Sequence, residues 1–142
     1  MSKDLLDIAR RIFAADTFAT ETTGIELEHI ETDGTSGRAR CRLALRPQLR
    51  NAMGSVMGGA IFTLADFAFA AAANASVLCE GSTLYWVSLN STIHYLAAAR
   101  GDTLQAEARC IKQGRTSCLY EIDIHDNTGR HVAHVETTGL KI

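Results

Sequence analysis

The sequence predicts an α+β domain in which one long apolar helix is wrapped by an antiparallel β-sheet. The segment from Gly58 to about Val77 carries alanines and bulky apolar residues on every side, which is typical of a buried helix. The second half of the chain is predicted to form consecutive strands joined by short turns, and such connections produce antiparallel pairing. Helices and strands do not alternate here as they do in a βαβ nucleotide-binding fold.

An amphipathic helix is predicted for the N-terminal segment, residues 1–20. Its apolar residues recur at helical spacing: Leu5, Leu6, Ile8, Ala9, Ile12 and Phe13. We expect this helix to cover another part of the domain and to end in the polar stretch around residues 20–23.

A β-hairpin is predicted for residues 25–45. Apolar residues alternate with glutamates in the first half, Asp33-Gly34 marks a tight turn, and arginines alternate with small apolar residues in the second half. Acidic and basic side chains are therefore expected to face each other across the two strands. Each such surface ion pair stabilises by well under ~1 kcal/mol, so the pairs indicate register more than stability.

Four further strands are expected after the long helix. They have alternating or β-branched patterns and are separated by turn residues, and they cover residues 84–96, 103–112, 116–125 and 131–141. The predicted order is therefore helix, hairpin, long helix and a run of strands.

Length and composition exclude several classes of protein. The 142 residues predict a single domain, 1–142, and the net charge of −2 gives no positive field that would attract nucleic acid. A membrane span is disfavoured because the long helix has a carboxylate at its middle and alanine supplies much of its apolarity. The four cysteines form no C-x-x-C pair and no secretory signal precedes the domain, so we expect reduced thiols and a cytoplasmic location.

Asp66 is the candidate reactive group. It is the one charged residue between Arg50 and Glu80, and it falls in the middle of the apolar helix. A carboxylate buried there would need a raised pKa or a dedicated partner, whereas alanine or leucine would suit the helix better. Such a violation of the local pattern indicates a functional site.

Glycines immediately precede this helix, in the segment 51–59 with the sequence NAMGSVMGG. Glycines let a ligand approach the backbone, and the first N–H groups of a helix are free to stabilise negative charge, either a phosphate or the oxyanion of an acyl-transfer intermediate. The segment lacks a P-loop lysine, so nucleotide binding is disfavoured.

Together these motifs resemble the hotdog-fold acyl-CoA thioesterases of the PaaI-like, phenylacetic-acid-degradation type. The resemblance runs from about Arg46 to Leu140, and its motifs are Asn51, the MGGA of residues 57–60, the FTLAD of residues 62–66 and the GDTL of residues 101–104. It implies a long helix wrapped by a curved antiparallel sheet, assembled as a dimer or a dimer of dimers.

The resemblance also implies roles for individual residues. Asp66 matches the catalytic carboxylate, as nucleophile or as general base, and Gly58 matches the glycine whose N–H polarises the thioester carbonyl. Asn51 matches a residue that holds substrate or water, Ser88 one that orients the water, and Gly114-Arg115-Thr116 a turn along the CoA arm.

Two positions depart from the family pattern. Met57 stands where the family usually has the histidine of H-G-G, and Met53 replaces an earlier histidine. Methionine offers no useful hydrogen-bond donor, so a reduced rate, a more apolar pocket or a loss of activity are the hypotheses. Met57 and Gly59 are expected to contact the substrate beside Gly58.

Helix geometry predicts a site shared between subunits. Gly58 and Asp66 are eight positions apart, which is about 12 Å along a helix at ~1.5 Å per residue. Both cannot contact one thioester carbonyl at ~3 Å, so if both act on the same thioester they must come from different copies of the chain.

The remaining candidates are weaker. Arg100 and Arg115 lie at predicted turns and are expected either to meet CoA phosphates or to be solvated. His131 and His134 are three positions apart, which on a regular strand places them on opposite faces, so no metal site is expected. A G-x-S-x-G motif is missing, which disfavours a serine hydrolase.

The leading hypothesis is therefore an acyl-CoA thioesterase acting on an aryl or medium-size acyl group, with CoA entering as part of the substrate and no metal or redox cofactor. Two alternatives remain: a non-catalytic binder of acyl-CoA or another apolar ligand, which the lost histidines favour, and a hotdog dehydratase, which would want an Asp and His pair near the helix.

Overall fold

A six-stranded antiparallel sheet wraps around one helix in this computed structural model, which describes residues 2–81 and 83–142. The strands are β1 (Ile25–Thr32), β2 (Gly37–Ala44), β3 (Trp86–Tyr95), β4 (Thr103–Gln113), β5 (Ser117–Asp126) and β6 (His131–Lys141). Their order across the sheet is β1-β2-β4-β5-β6-β3, so β1 and β3 form the two edges. The expected order of elements is confirmed.

The helices are α1 (Ser2–Phe13), α2 (Gly58–Ala73) and α3 (Ala75–Cys79), with a π-helical turn at Phe18–Thr23 and a 3₁₀ turn at Pro47–Leu49. Helix α2 lies in the concave side of the sheet and contacts all six strands. Of the described helices, none combines the length and apolarity that a membrane span requires.

Alternation along the strands builds the core. On β2, Ala39, Cys41 and Leu43 are buried while the arginines between them point outward. The predicted ion pairs of the hairpin are confirmed: Arg42 lies 3.7 Å from Glu26 and Arg40 lies 3.6 Å from Glu28. The hairpin therefore presents its charges on the outer face of the sheet and its apolar side chains to α2.

Small residues allow the helix and the sheet to approach closely. The buried residues of α2 include Ala65, Ala68, Ala71 and Ala72. At the start of β2 a Cβ on Gly37 would lie 2.3 Å from the carbonyl oxygen of Ala72, so any larger residue would force the backbones apart. The alanine content of the helix therefore sets how tightly the sheet can wrap.

Two predicted boundaries are wrong. The long helix was expected to reach about Val77, but α2 ends at Ala73 because the buried Asn74 turns the chain there. Its Oδ1 accepts hydrogen bonds from the N–H groups of Tyr85 and Trp86 at 2.9 Å, and its Nδ2 donates to the Ala70 carbonyl. The N-terminal helix likewise ends at Phe13, and the polar stretch around residues 20–23 forms the π-helical turn.

Helix α1 packs on the outside of this assembly. Phe13 meets Phe67 of α2 edge to face, with ring centroids 5.4 Å apart, and Arg10 Nε donates to the Leu27 carbonyl at 2.9 Å. The predicted covering role of the N-terminal helix is confirmed. The chain that follows α1 is thereby brought alongside α2, where it borders the candidate site.

Candidate active site

Asp66 lies on the side of α2 that faces away from the sheet. Beyond its first residue, the less buried positions of α2 lie on one side of the helix: Gly59, Ala60, Phe62, Thr63, Asp66 and Ala70. The expectation that Asp66 is buried in the core is therefore wrong for the single chain, because the sheet covers only one side of the helix. Asp66 instead opens onto an apolar cleft.

This cleft has a volume of about 510 Å³ and runs between α2 and the segment that follows α1. Its lining residues are mostly apolar or aromatic and comprise Asp16, Thr17, Phe18, Ala19, Phe62, Thr63, Asp66, Phe67 and Ala70. A concave apolar wall with a few polar groups is the usual form of a small-molecule site.

The surroundings of Asp66 raise the pKa of its carboxyl group. Removal from water by the neighbouring side chains is the main cause, and the nearby negative charge of Asp16 adds to it. The Ser88 side chain acts in the opposite direction, because its hydroxyl can donate to the carboxylate and so favours the ionised form. Asp66 and Ser88, which the sequence paired through a family resemblance, are thus brought together.

Gly58 is the first residue of α2, about two helical turns before Asp66. The first N–H groups of a helix have no intrahelical acceptor, and that of Gly58 has no acceptor among the described residues. Tyr95 Oη donates to the Gly58 carbonyl at 2.9 Å, and a Cβ on Gly58 would lie 3.0 Å from that hydroxyl. The last residue of β3 therefore fixes the start of the helix.

A second cleft, of about 330 Å³, adjoins this helix start. It is lined by Ser55, Val56, Gly58, Ile61 and the segment 95–99. Gly59 and Met57 flank Gly58, and both are exposed. The side chain of Met57 is 48% exposed, and that of Met53 is 86% exposed, so neither methionine belongs to the core.

Asn51 organises the loop that leads to this helix. Its Oδ1 accepts hydrogen bonds from the N–H groups of Met53 and Ser55, at 3.0 and 3.1 Å. The side-chain oxygen is therefore engaged in its own turn, and the Nδ2 group is the part that remains available to a ligand. The bridge between Arg50 and Val56 closes this loop just before Gly58.

The predicted site residues fall into two groups at opposite ends of β3. Ser88 pairs with Gly139, which pairs with Cys118, and the exposed turn Gly114–Thr116 lies at this same end of the sheet, with Asp66. Arg100 follows the segment 95–99 and lies at the Gly58 end, where its backbone N–H donates to Asp126 at 2.7 Å. Within one chain the two groups of predicted site residues therefore remain apart.

The prediction that His131 and His134 lie on opposite faces is wrong. Both contact the same oxygen, Oδ1 of Asp123, at 2.8 Å. The strand pairing is irregular at this point: Ile124 pairs with Ala133 while His125 pairs with His131. One extra residue on β6 turns both histidines to the outer face.

Three residues at the candidate site were not predicted from the sequence: Asp16, Phe18 and Tyr95. The signal for Phe18 was an aromatic residue in a polar stretch, and its side chain is 64% exposed at the cleft. Asp16 carried no local signal because surface aspartates are common. Tyr95 ended a predicted strand, where an aromatic residue is ordinary.

Comparison with known proteins identifies the family. The family model described as the Thioesterase superfamily matches residues 53–133, more than half of the chain. The acyl-coenzyme A thioesterase PaaI of Escherichia coli is 35% identical over 98 residues, which cover 68% of this chain and 66% of that relative, just under two thirds of its length.

Solved structures support the same assignment. The E. coli PaaI protein from the phenylacetic acid degradation operon superposes with a TM-score of 0.79 and 28% identity, covering 97% of this chain and 96% of that one. A hypothetical thioesterase from Streptococcus pneumoniae, solved with coenzyme A, superposes with a TM-score of 0.71 and 26% identity over 92% of this chain and 96% of its own. The chain belongs to the thioesterase superfamily, as a PaaI-like protein with the hotdog fold.

Proposed function

We propose that this protein is an acyl-CoA thioesterase that hydrolyses an aryl or medium-size acyl-CoA thioester to the free acid and CoA. Membership of the thioesterase superfamily supports this, as do the activity named for the E. coli relative and the coenzyme A bound to the S. pneumoniae structure. The observation that carries the proposal is the Asp66 carboxylate, which lies beside an apolar cleft and has a raised pKa.

Asp66 is the reacting group. As a nucleophile its carboxylate attacks the thioester carbonyl, CoA leaves as the thiolate and takes up a proton, and water then hydrolyses the mixed anhydride. As a general base it takes a proton from a water molecule that attacks the same carbonyl. Ser88 is suited to orienting that water, because its side chain interacts with the carboxylate.

The Gly58 N–H is the oxyanion donor. It lies at the N-terminus of α2, where the unpaired N–H groups and the helix dipole favour negative charge. The hydrogen bond from Tyr95 to the Gly58 carbonyl holds this turn in place before substrate arrives. The thioester oxygen would accept from the Gly58 N–H as it gains charge.

The acyl group is proposed to occupy the cleft beside Asp66. Phe18, Phe62 and Phe67 line it, and its volume of about 510 Å³ suits an aryl or medium-size group. The aromatic side chains favour a flat apolar substituent through stacking and edge-to-face contacts.

The complete site is proposed to form between two copies of the chain. Asp66 and Gly58 belong to one helix and are about 12 Å apart along it at ~1.5 Å per residue, so a second copy must supply one of them. Among the described residues β3 pairs only with β6, so its other edge is unpaired, and its side chains Val87, Leu89 and Tyr95 are exposed. Such an apolar edge favours pairing with another strand.

Two-fold symmetry would bring the two halves together. Two copies of β3 related by a two-fold axis perpendicular to the strands run antiparallel. The end that carries Ser88 in one copy then lies near the end that carries Tyr95 in the other. Asp66 of one subunit would then approach Gly58 of its partner. The exposed side of α2 would be covered in the same step.

The CoA arm is proposed to cross both halves. The turn Gly114–Thr116 lies at the Asp66 end and Arg100 lies at the Gly58 end. The side chains of Arg100 and of Arg115 in this turn are exposed and can bind phosphates. Asn51 can donate to the substrate through Nδ2. We propose no metal or redox cofactor for the hydrolysis, and reduced thiols at Cys41, Cys79, Cys110 and Cys118 suit a cytoplasmic location.

The methionines at positions 53 and 57 favour a second candidate, a non-catalytic binder of acyl-CoA. The methionine side chains donate no hydrogen bond at the two positions where the family usually has histidine. In the loop before α2, only backbone N–H groups are then left to donate at these positions. A dehydratase is disfavoured, since no histidine is among the described residues that line the cleft beside Asp66.

Hydrolysis of a panel of aryl- and acyl-CoA esters by the wild type and by Asp66→Asn separates these functions. We expect turnover by the wild type and a loss of about 10²- to 10⁴-fold in the variant, because a positioned base contributes that much. Asp7→Asn, an exposed carboxylate on α1 that does not line the cleft, serves as the matched control. Acyl-CoA binding without turnover by the wild type would establish the binder instead.

A further inference from the structure

The outer face of the sheet, turned away from α2, carries a compact group of histidines and carboxylates. Side-chain ligand atoms of Glu121 on β5 and of His134 and Glu136 on β6 all lie within 4.8 Å of one another. Strand register explains their meeting, because Glu121 pairs with Glu136 and the adjacent Asp123 pairs with His134. The group lines neither of the two clefts at the candidate active site.

Asp123 orients the histidine of this group. Its Oδ1 lies 2.8 Å from Nδ1 of His134, and a carboxylate in that place makes Nδ1 the protonated nitrogen of the neutral ring. The lone pair is then on Nε2, which faces Glu136. Histidines that bind metals are usually held by a carboxylate in this way.

The distance between the two facing atoms fits a shared metal ion. His134 Nε2 lies 3.5 Å from Glu136 Oε2, which is longer than a good N–H···O hydrogen bond of about 2.7–3.2 Å. Zinc bonds of roughly 2.0–2.2 Å at tetrahedral angles place neighbouring ligand atoms about 3.4 Å apart. The observed separation therefore matches an edge of a tetrahedral site, and the ligand atom of Glu121 lies within 4.8 Å of those of the other two residues.

We propose that Glu121, His134 and Glu136 form a binding site for a transition-metal dication of the zinc type, with Asp123 as the residue that positions His134. The two carboxylates balance the charge of the ion, and water occupies the fourth position. Arg109 contacts Oε1 of Glu121, which leaves the other oxygen of that carboxylate for the metal. The ion ties β5 to β6 and does not depend on the proposed thioesterase reaction.

A second His–Glu pair offers a matched comparison within the chain. His29 Nε2 lies 3.4 Å from Glu31 Oε1 on β1, nearly the same spacing. Arg38 and Arg40 border this pair, and no carboxylate contacts His29 Nδ1 among the described residues. Among the described residues no third ligand joins this pair, and its ring is unoriented, so the first group should bind a metal and this pair should not.

Isothermal titration of the full chain with zinc chloride tests the proposal, with magnesium chloride as the second arm. We expect one zinc ion per chain, no detectable binding after His134→Ala, and affinity about 10- to 100-fold weaker after Asp123→Asn, the usual effect of removing such a partner. His29→Ala should bind zinc like the wild type. Magnesium should not compete, because it prefers octahedral oxygen sites.

Thermal unfolding with and without zinc checks that each variant is folded, and Glu136→Gln replaces His134→Ala if the latter does not fold. An anomalous-scattering peak between His134 and Glu136 in zinc-soaked crystals would support the site. Undiminished binding by the folded His134→Ala or Glu136→Gln protein would overturn the proposal, since the zinc would then sit elsewhere, for instance on cysteines. Equal competition by magnesium, or no zinc binding by the wild type, would overturn it as well.

Discussion

Two neighbours act on the protonation of Asp66 in opposite directions. The negative charge of Asp16 disfavours the carboxylate, whereas the Ser88 side chain favours it, and removal from water raises the pKa overall. If Asp66 reacts as a carboxylate, hydrolysis is lost as the pH falls through its pKa. The acid limb of the pH profile should therefore lie above the ordinary aspartate value of about 4.

Replacing Ser88 and replacing Asp16 should move the acid limb of the pH profile in opposite directions. Ser88→Ala takes away a stabilising partner of the carboxylate, so the pKa rises and activity is lost at a higher pH. Asp16→Asn takes away a repelling charge, so the pKa falls and activity persists to a lower pH. Profiles of kcat/KM against pH for the three proteins measure this, and shifts of the same sign in both variants would contradict the assignment.

The proposed role of the Gly58 N–H as oxyanion donor can be tested by deleting that N–H group alone. Proline is tolerated at the first position of a helix, and Met57 already has the extended conformation (φ −63°, ψ 136°) that precedes proline readily. Gly58→Pro deletes the N–H and should lower kcat by about 10²- to 10³-fold. Gly58→Ala retains the N–H and displaces only the end of the Tyr95 side chain, so it should lose much less. Equal losses in the two variants would assign the effect to crowding.

At the scale of elements, Asn74 decides where the central helix ends. Apolar periodicity predicts that this helix exists, because the pattern is local, but it gives no sign of the stop, because Asn74 bonds to the distant Tyr85 and Trp86. The bulge on β6 is a similar case: one extra residue reverses the facing of a histidine, and no local propensity marks it.

Asn74→Ala should destabilise the fold strongly. It leaves the buried N–H of Trp86 and the part-buried N–H of Tyr85 without their acceptor, and each unsatisfied group costs about 1–3 kcal/mol, so the free energy of unfolding should fall by roughly 2–4 kcal/mol. Urea denaturation measures this. Asn127 also accepts two backbone N–H groups, from Asp102 and Thr103, but at the surface where water can replace it. A loss in Asn127→Ala as large as that in Asn74→Ala would contradict the explanation.

For the whole molecule, the sequence predicts the fold well, but it does not predict which surfaces around the candidate site are exposed in a single chain. The core can be predicted from alternating apolar residues such as Leu104, Ala106 and Ala108, which lie on one face of β4 and are buried. Asp66 was expected to be buried in the core, but it is exposed in the single chain. In the proposed dimer a partner subunit covers that surface, and a sequence pattern does not separate contacts within a chain from contacts between chains.

Subunit complementation tests the shared site most directly. Asp66→Asn and Gly58→Pro each disable one half, so homodimers of either variant should be nearly inactive. When the two are co-expressed in equal amounts and mix at random, about half of the dimers are mixed, and each mixed dimer contains one intact site and one site with both defects. The account predicts recovery of about a quarter of the wild-type hydrolysis of its best acyl-CoA substrate. Mixed dimers that form, as shown by two different affinity tags, and yet hydrolyse no faster than the separate variants would contradict it.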